Sequence, residues 1–176
     1  YIMSTFIVYY ATKELGFSRT QALNAVTVAT VVTTLLIPLM GALSDRIGRK
    51  TVYIAGVLMM MAYAFPYFWL LQTRSFSMLI LATVIGLGVI WAPTTAVLGT
   101  MFSEIFKSNV RYTGITLGYQ IGAALAGGTA PLVATFLLAK FDHSYVPIAL
   151  YIIFTGLVSL VAIAAVSERS GRQLDE

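Results

Sequence analysis

The stretch Gly41-Ala42-Leu43-Ser44-Asp45-Arg46-Ile47-Gly48-Arg49-Lys50 gathers three cations, one carboxylate and two glycines within ten residues. Each type has a use there. Gly41 lets another helix backbone approach. Asp45 can accept backbone N–H groups at a neighbouring helix N-terminus, where the macrodipole favours an anion. Gly48 supplies a turn conformation closed to other residues. Arg46, Arg49 and Lys50 can pair with carboxylates or phospholipid headgroups. A merely basic loop would account for the cations, but not for Asp45 set between two glycines.

The remaining polar groups fall on helical faces, at about 100° per residue. Asn24, Thr27, Thr30 and Thr34 share one side of an apolar run. Trp91, Thr94 and Thr95 follow i, i+3, i+4 spacing around Pro93. Gly114, Gly118 and Gly122 recur every fourth residue as a close-packing face, with Thr116, Tyr119, Gln120 and Ala123 opposite. Thr5, Tyr9, Asn24, Trp91, Thr94, Tyr119 and Gln120 are therefore candidates to hydrogen-bond a small polar substrate in a midplane cavity. The bland alternative is that threonines bond their own i−4 carbonyls and Trp91 merely packs. His143 reads as a solvated loop residue.

Other chemistries are excluded. There is no cysteine and a single histidine, so neither a metal cluster nor a thiol nucleophile can be built and no cofactor is expected. No nucleophile–base pair or paired carboxylate lies within an apolar run, so the chain does not read as an enzyme.

The elements that must carry these groups follow from the composition. Hydrophobic residues make up 59% and charged residues 10%, against roughly 25% charged in a soluble domain. Apolar blocks run over 1–13, 21–44, 51–72, 76–102, 112–139 and 146–167. The last five are long enough to cross a bilayer core as helices, which takes about 20 residues. The first is short, and the chain is expected to be a fragment that begins inside a helix. The fold class is all-α: a six-transmembrane-helix bundle with a polar tail at 168–176. Placing 45–50, 103–111 and the tail on one side puts Arg46, Arg49, Lys50, Lys107, Arg111, Arg169 and Arg172 there. Lys13, Arg19, Arg74 and Lys140 lie opposite, and the excess marks the cytoplasm. Tyr67, Phe68 and Trp69 are expected to form an outer interfacial belt. Pro38, Pro66, Pro93 and Pro131 are expected to kink helices, and Pro147 to start one.

The 41–50 stretch resembles the signature loop of the major facilitator superfamily: Gly, three variable positions, Asp-Arg, one variable position, Gly-Arg-Lys. In that superfamily the loop follows the second helix of each six-helix half, as it does here. The resemblance implies a latch on the cytoplasmic side that breaks when the transporter opens inward, with Glu104 and the fifth-span start near Arg111 as its partners. It also implies that the first, second, fourth and fifth helices face the cavity or the mate half. Glu104-Ile105-Phe106-Lys107, Val110-Arg111-Tyr112-Thr113-Gly114 and Gly118-Tyr119-Gln120-Ile121-Gly122 resemble the metabolite:proton symporter family, in part, since Lys107-Ser108 replace a common proline. No arginine lies in 76–102, which favours the C-terminal half.

The expected function is alternating-access transport of a small polar metabolite, an organic acid or osmolyte, across the cytoplasmic membrane of a bacterial cell. The C-terminus would be cytoplasmic. No ionisable side chain lies deep in a span, so the coupling acid of a proton symporter would belong to the N-terminal six-helix half. Expected partners are the substrate, the lipid bilayer and that half, with no nucleic acid. An efflux pump of the same fold is the alternative. A non-transporting membrane domain is another, and an isolated half is expected to self-associate as a homodimer.

Overall fold

The computed structural model describes residues 1–105 and 111–165, side chains 102, 104, 105, 111 and 112 excepted. The polar tail expected at 168–176 lies outside the described residues.

The described residues form helices and no strand. A π-helical segment, Ile2–Phe6, leads into α1 (Ile7–Lys13). Then come α2 (Arg19–Ile47) and α3 (Arg49–Gln72). The fourth span is α4 (Phe76–Thr83), a π segment Val84–Ile90, and α5 (Trp91–Ile105). The fifth is α6 (Arg111–Gly122), a π segment Ala123–Gly127, and α7 (Ala130–Lys140). The last is α8 (Val146–Ala165). Five helices among the described residues are long and apolar enough to cross a membrane. The first helix is shorter.

Local chemistry sets several ends. Ser18 caps α2: its Oγ accepts from the Gln21 amide at 3.2 Å, and Gln21 Oε1 accepts from the Ser18 amide at 2.9 Å. Pro147 lies in the first turn of α8, where a missing N–H is harmless. Pro38 and Pro66 sit within continuous helices. The internal π segments end just before Pro93 and Pro131. A proline withholds the N–H that the upstream turn needs and crowds its carbonyl, so the turn re-registers.

The core gathers Met3, Phe6, Ile7, Tyr10, Ala25, Ala29, Phe68, Leu79, Leu138 and Ile148 from all six helices. Phe68 is its aromatic centre, edge-on to Tyr10 at 5.6 Å and stacked on Tyr145 at 5.5 Å. The expected interfacial belt is corrected here: Tyr67 and Phe68 are fully buried, and only Trp69 is exposed. Consecutive helical residues point about 100° apart, so three neighbours cannot all face lipid.

Close helix approach falls on particular glycines. A Cβ on Gly56 of α3 would lie 2.8 Å from Thr94 Cγ2, and one on Gly86 would lie 2.8 Å from Met3 Sδ. A Cβ on Gly88 would lie 3.3 Å from the Ala29 carbonyl. In the fifth span, a Cβ at Gly118 or Gly122 would meet nothing within 4 Å among the described residues. This face of α6 turns away from the other described helices. Gly114 is half-buried.

Candidate functional site

Helix α2 runs through Asp45 and Arg46 to Ile47, and α3 starts at Arg49. The expected loop is therefore one residue, Gly48, at φ 93° and ψ 136°. That conformation is one only glycine adopts readily. Asp45, mostly exposed, accepts from Arg49 Nη2 at 3.4 Å across the break. In this structure Asp45 thus pairs with the next helix of the same hairpin. Ser44, buried beside it, donates to the Gly41 carbonyl at 2.7 Å. Gly41 has open space where a Cβ would stand, so none of the described helices approaches it. The side chains of Glu104 and Arg111, the expected latch partners, lie outside the described residues.

Helix α2 divides by face. Ala22, Ala25, Ala29 and Thr33 are buried. Small side chains at that spacing let α2 seat against the π segment Val84–Ile90, with Gly88 over Ala29 and Val32. Asn24, Thr27, Thr30 and Thr34 are exposed on the other side. Three of these threonines back-bond: Thr27 to Leu23 O at 2.9 Å, Thr30 to Val26 O at 2.8 Å and Thr34 to Thr30 O at 2.9 Å. They line a shallow groove of about 360 Å³ with Val26, Val31 and Leu35. Asn24 lies outside it.

On the first helix Met3, Phe6, Ile7 and Tyr10 are buried while Thr5 and Tyr9 are exposed. Tyr119 and Gln120 are exposed on α6, and the Gln120 amide makes no hydrogen bond among the described residues. Trp91 is exposed at the start of α5. Thr94 parts company with it: its methyl is turned to Gly56 of α3, and its hydroxyl donates to Trp91 O at 2.8 Å. Thr94 is thus a contact to the third span rather than a member of the open face. The groove is a furrow on the surface of α2 alone, and Thr5, Tyr9, Trp91, Tyr119 and Gln120 are not among its lining residues.

Several polar contacts carried no sequence signal of their own. Gln72 donates to the Tyr10 hydroxyl at 2.8 Å, Tyr63 donates to Ala82 O at 3.3 Å, and Thr33 donates to Leu87 O at 2.8 Å. His143 is exposed, as expected, but its ring lies 3.0 Å from Glu14.

Residues 1–173 match the profile of the Major Facilitator Superfamily. The chain belongs to this superfamily. Its curated relatives include the shikimate transporter of Escherichia coli (strain K12), 31% identical over 90% of this chain. They also include an ectoine/proline transporter of Corynebacterium glutamicum, 31% identical over 99% of this chain, and the citrate-proton symporter of Klebsiella pneumoniae, 26% identical over 97%. The chain spans 36%, 34% and 38% of the lengths of these three relatives, about a third in each case. No solved structure matches. Membership in the superfamily makes this a multi-pass membrane domain of a non-enzymatic, transporter class.

Proposed function

We propose that this chain is the C-terminal six-helix half of a proton-coupled importer of a small polar metabolite, an organic acid or an osmolyte. The whole protein works by alternating access in the cytoplasmic membrane, with the C-terminus of this half in the cytoplasm. The observation that carries this reading is the exposed hydrogen-bonding surface of α2 and α6, from Asn24 to Thr34 and at Tyr119 and Gln120. The α2 threonines bond their own preceding turn, but the amides of Asn24 and Gln120 and the Tyr119 hydroxyl would be costly in lipid, so this surface suits a water-filled cavity against a mate half. The names of the relatives, for shikimate, ectoine and proline, and citrate with protons, support the substrate class. Neutral groups orient the substrate here, and the acid that takes the coupling proton sits in the other half. The hairpin break at Asp45-Arg46-Ile47-Gly48-Arg49-Lys50 serves as the inner latch, with Glu104 and Arg111 as partners.

The test is uptake of labelled shikimate, proline and citrate by the whole transporter in proteoliposomes, with the outside more acidic. Accumulation of one probe that collapses with the gradient is expected, with Gln120→Ala raising KM about tenfold, the worth of one neutral hydrogen bond of about 1.4 kcal/mol. Extrusion of all three, or no gradient dependence, would overturn the reading.

A further inference from the structure

The fourth span contains seven residues of π helix, Val84–Ile90, directly upstream of Trp91. An i→i+5 turn takes in about one residue more than an α turn. Each such residue rotates the downstream helix by about 100°. The π register therefore sets the rotation of α5 as a whole, with Trp91 exposed and Thr94 turned to Gly56.

Among the described residues, one buried hydroxyl reaches this segment from another helix. The hydroxyl of Thr33 on α2 lies 2.9 Å from its own Ala29 carbonyl and 2.8 Å from the Leu87 carbonyl, inside the π segment. Thr33 is only 3% exposed and follows three buried alanines, Ala22, Ala25 and Ala29, on the same helix. The backbones are close at this level, since a Cβ on Gly88 would lie 3.3 Å from the Ala29 carbonyl oxygen. Side-chain donors inserted at a carbonyl are a recognised cause of local departure from α geometry.

We propose that Thr33 is a positioning residue for the transport site: its hydroxyl on the Leu87 carbonyl holds the π register and so sets the direction of Trp91. Its bearing on transport rests on the function proposed above, whereas its bearing on the helix does not.

The test uses the whole transporter. Trp91→Cys is labelled with a water-soluble maleimide in three backgrounds: Thr33, Thr33→Val and Thr33→Ser. Valine keeps the shape and removes the donor, and serine keeps the donor. Thr33→Val is expected to slow labelling at position 91 at least fivefold, while Thr33→Ser stays within twofold of the parent. Thr94→Cys, made separately, is expected to respond in the opposite sense and serves if the position 91 variant fails to fold. Unchanged labelling in Thr33→Val, even with a lowered melting temperature, would show a merely structural threonine and overturn the proposal. So would Thr33→Ser behaving like valine. Altered labelling with no uptake of any probe would sink the proposed function and leave the role of Thr33 standing.

Discussion

His143 holds the carboxylate of Glu14, with Nδ1 at 3.0 Å from both Oε1 and Oε2, and so ties the turn after α1 to the turn before α8. The loop that presents it is bent unusually. Asp142 and His143 both take left-handed backbone conformations, at φ 49° and 60°. The His143 amide donates to Leu138 O at 2.9 Å, and the Tyr145 ring stacks on Phe68. Because the imidazole is exposed, the pair is worth under about 1 kcal/mol. We expect Glu14→Gln and His143→Ala each to lower the melting temperature slightly, and the double variant to cost less than both together. His143→Gly loses the same imidazole but relieves a left-handed residue, worth about 1 kcal/mol. It should therefore melt above His143→Ala, and thermal denaturation of the purified transporter checks the order.

The Tyr10–Gln72 bond makes a second tie at the same end. Tyr10→Phe keeps the ring contacts to Phe6 and Phe68 and removes only the oxygen. A loss of about 0.5–1.5 kcal/mol follows. Gln72→Leu in the Tyr10→Phe background should then cost little more, which a double-mutant cycle would read directly.

The glycines divide into two classes with opposite expectations. Gly56→Ala forces a methyl to within 2.8 Å of Thr94 Cγ2. It should destabilise by about 1–3 kcal/mol. Gly118→Ala and Gly122→Ala meet open space and should change the stability of this half by less than about 0.5 kcal/mol. If they nevertheless impair transport, their contact lies on another part of the whole protein. Expression, melting and uptake measured on the same three variants separate these cases.

At the hairpin break, Gly48→Ala places a side chain at φ 93° and should cost about 1–3 kcal/mol. Asp45→Asn removes the charge facing Arg49 at 3.4 Å. Exposure makes its stability effect small. Its expected consequence is functional: slower uptake, with a shifted pattern of cysteine accessibility between the two ends of the protein. Wild-type uptake and accessibility in Asp45→Asn would count against the latch.

The helical architecture is legible because charge-free runs of bilayer length leave few alternatives. The break near Gly48 is legible as a place but not as a shape. A run of charged residues reads as a loop, yet Asp45 and Arg46 are helical, since i,i+4 pairing is compatible with an unbroken helix. The α2 threonines show why polar spacing alone is ambiguous. Their hydroxyls satisfy themselves on the preceding turn, so exposure rather than bonding distinguishes them. Trp91 and Thr94 share α5, yet one is exposed and the other has its methyl turned to Gly56, a neighbour that spacing along one helix does not reveal. The π segment before Pro93 breaks the helical period and offsets α5 from the first half of its span, and its Leu87 carbonyl meets Thr33 of another helix. For the fifth-span glycines, a small-residue stripe specifies a contact but not whose, and no described helix supplies one at Gly118 or Gly122.

Gly48 has a mechanical consequence. From Arg19 to Gln72 it is the only residue outside a helix. Two rods joined by a single residue share two soft torsions, the φ and ψ of that residue. The ends of α2 and α3 thus stay joined at one point while the angle between the two helices can change, as at a universal joint. A spectroscopic label at the far end of each helix would read a change in that angle as a change in one distance.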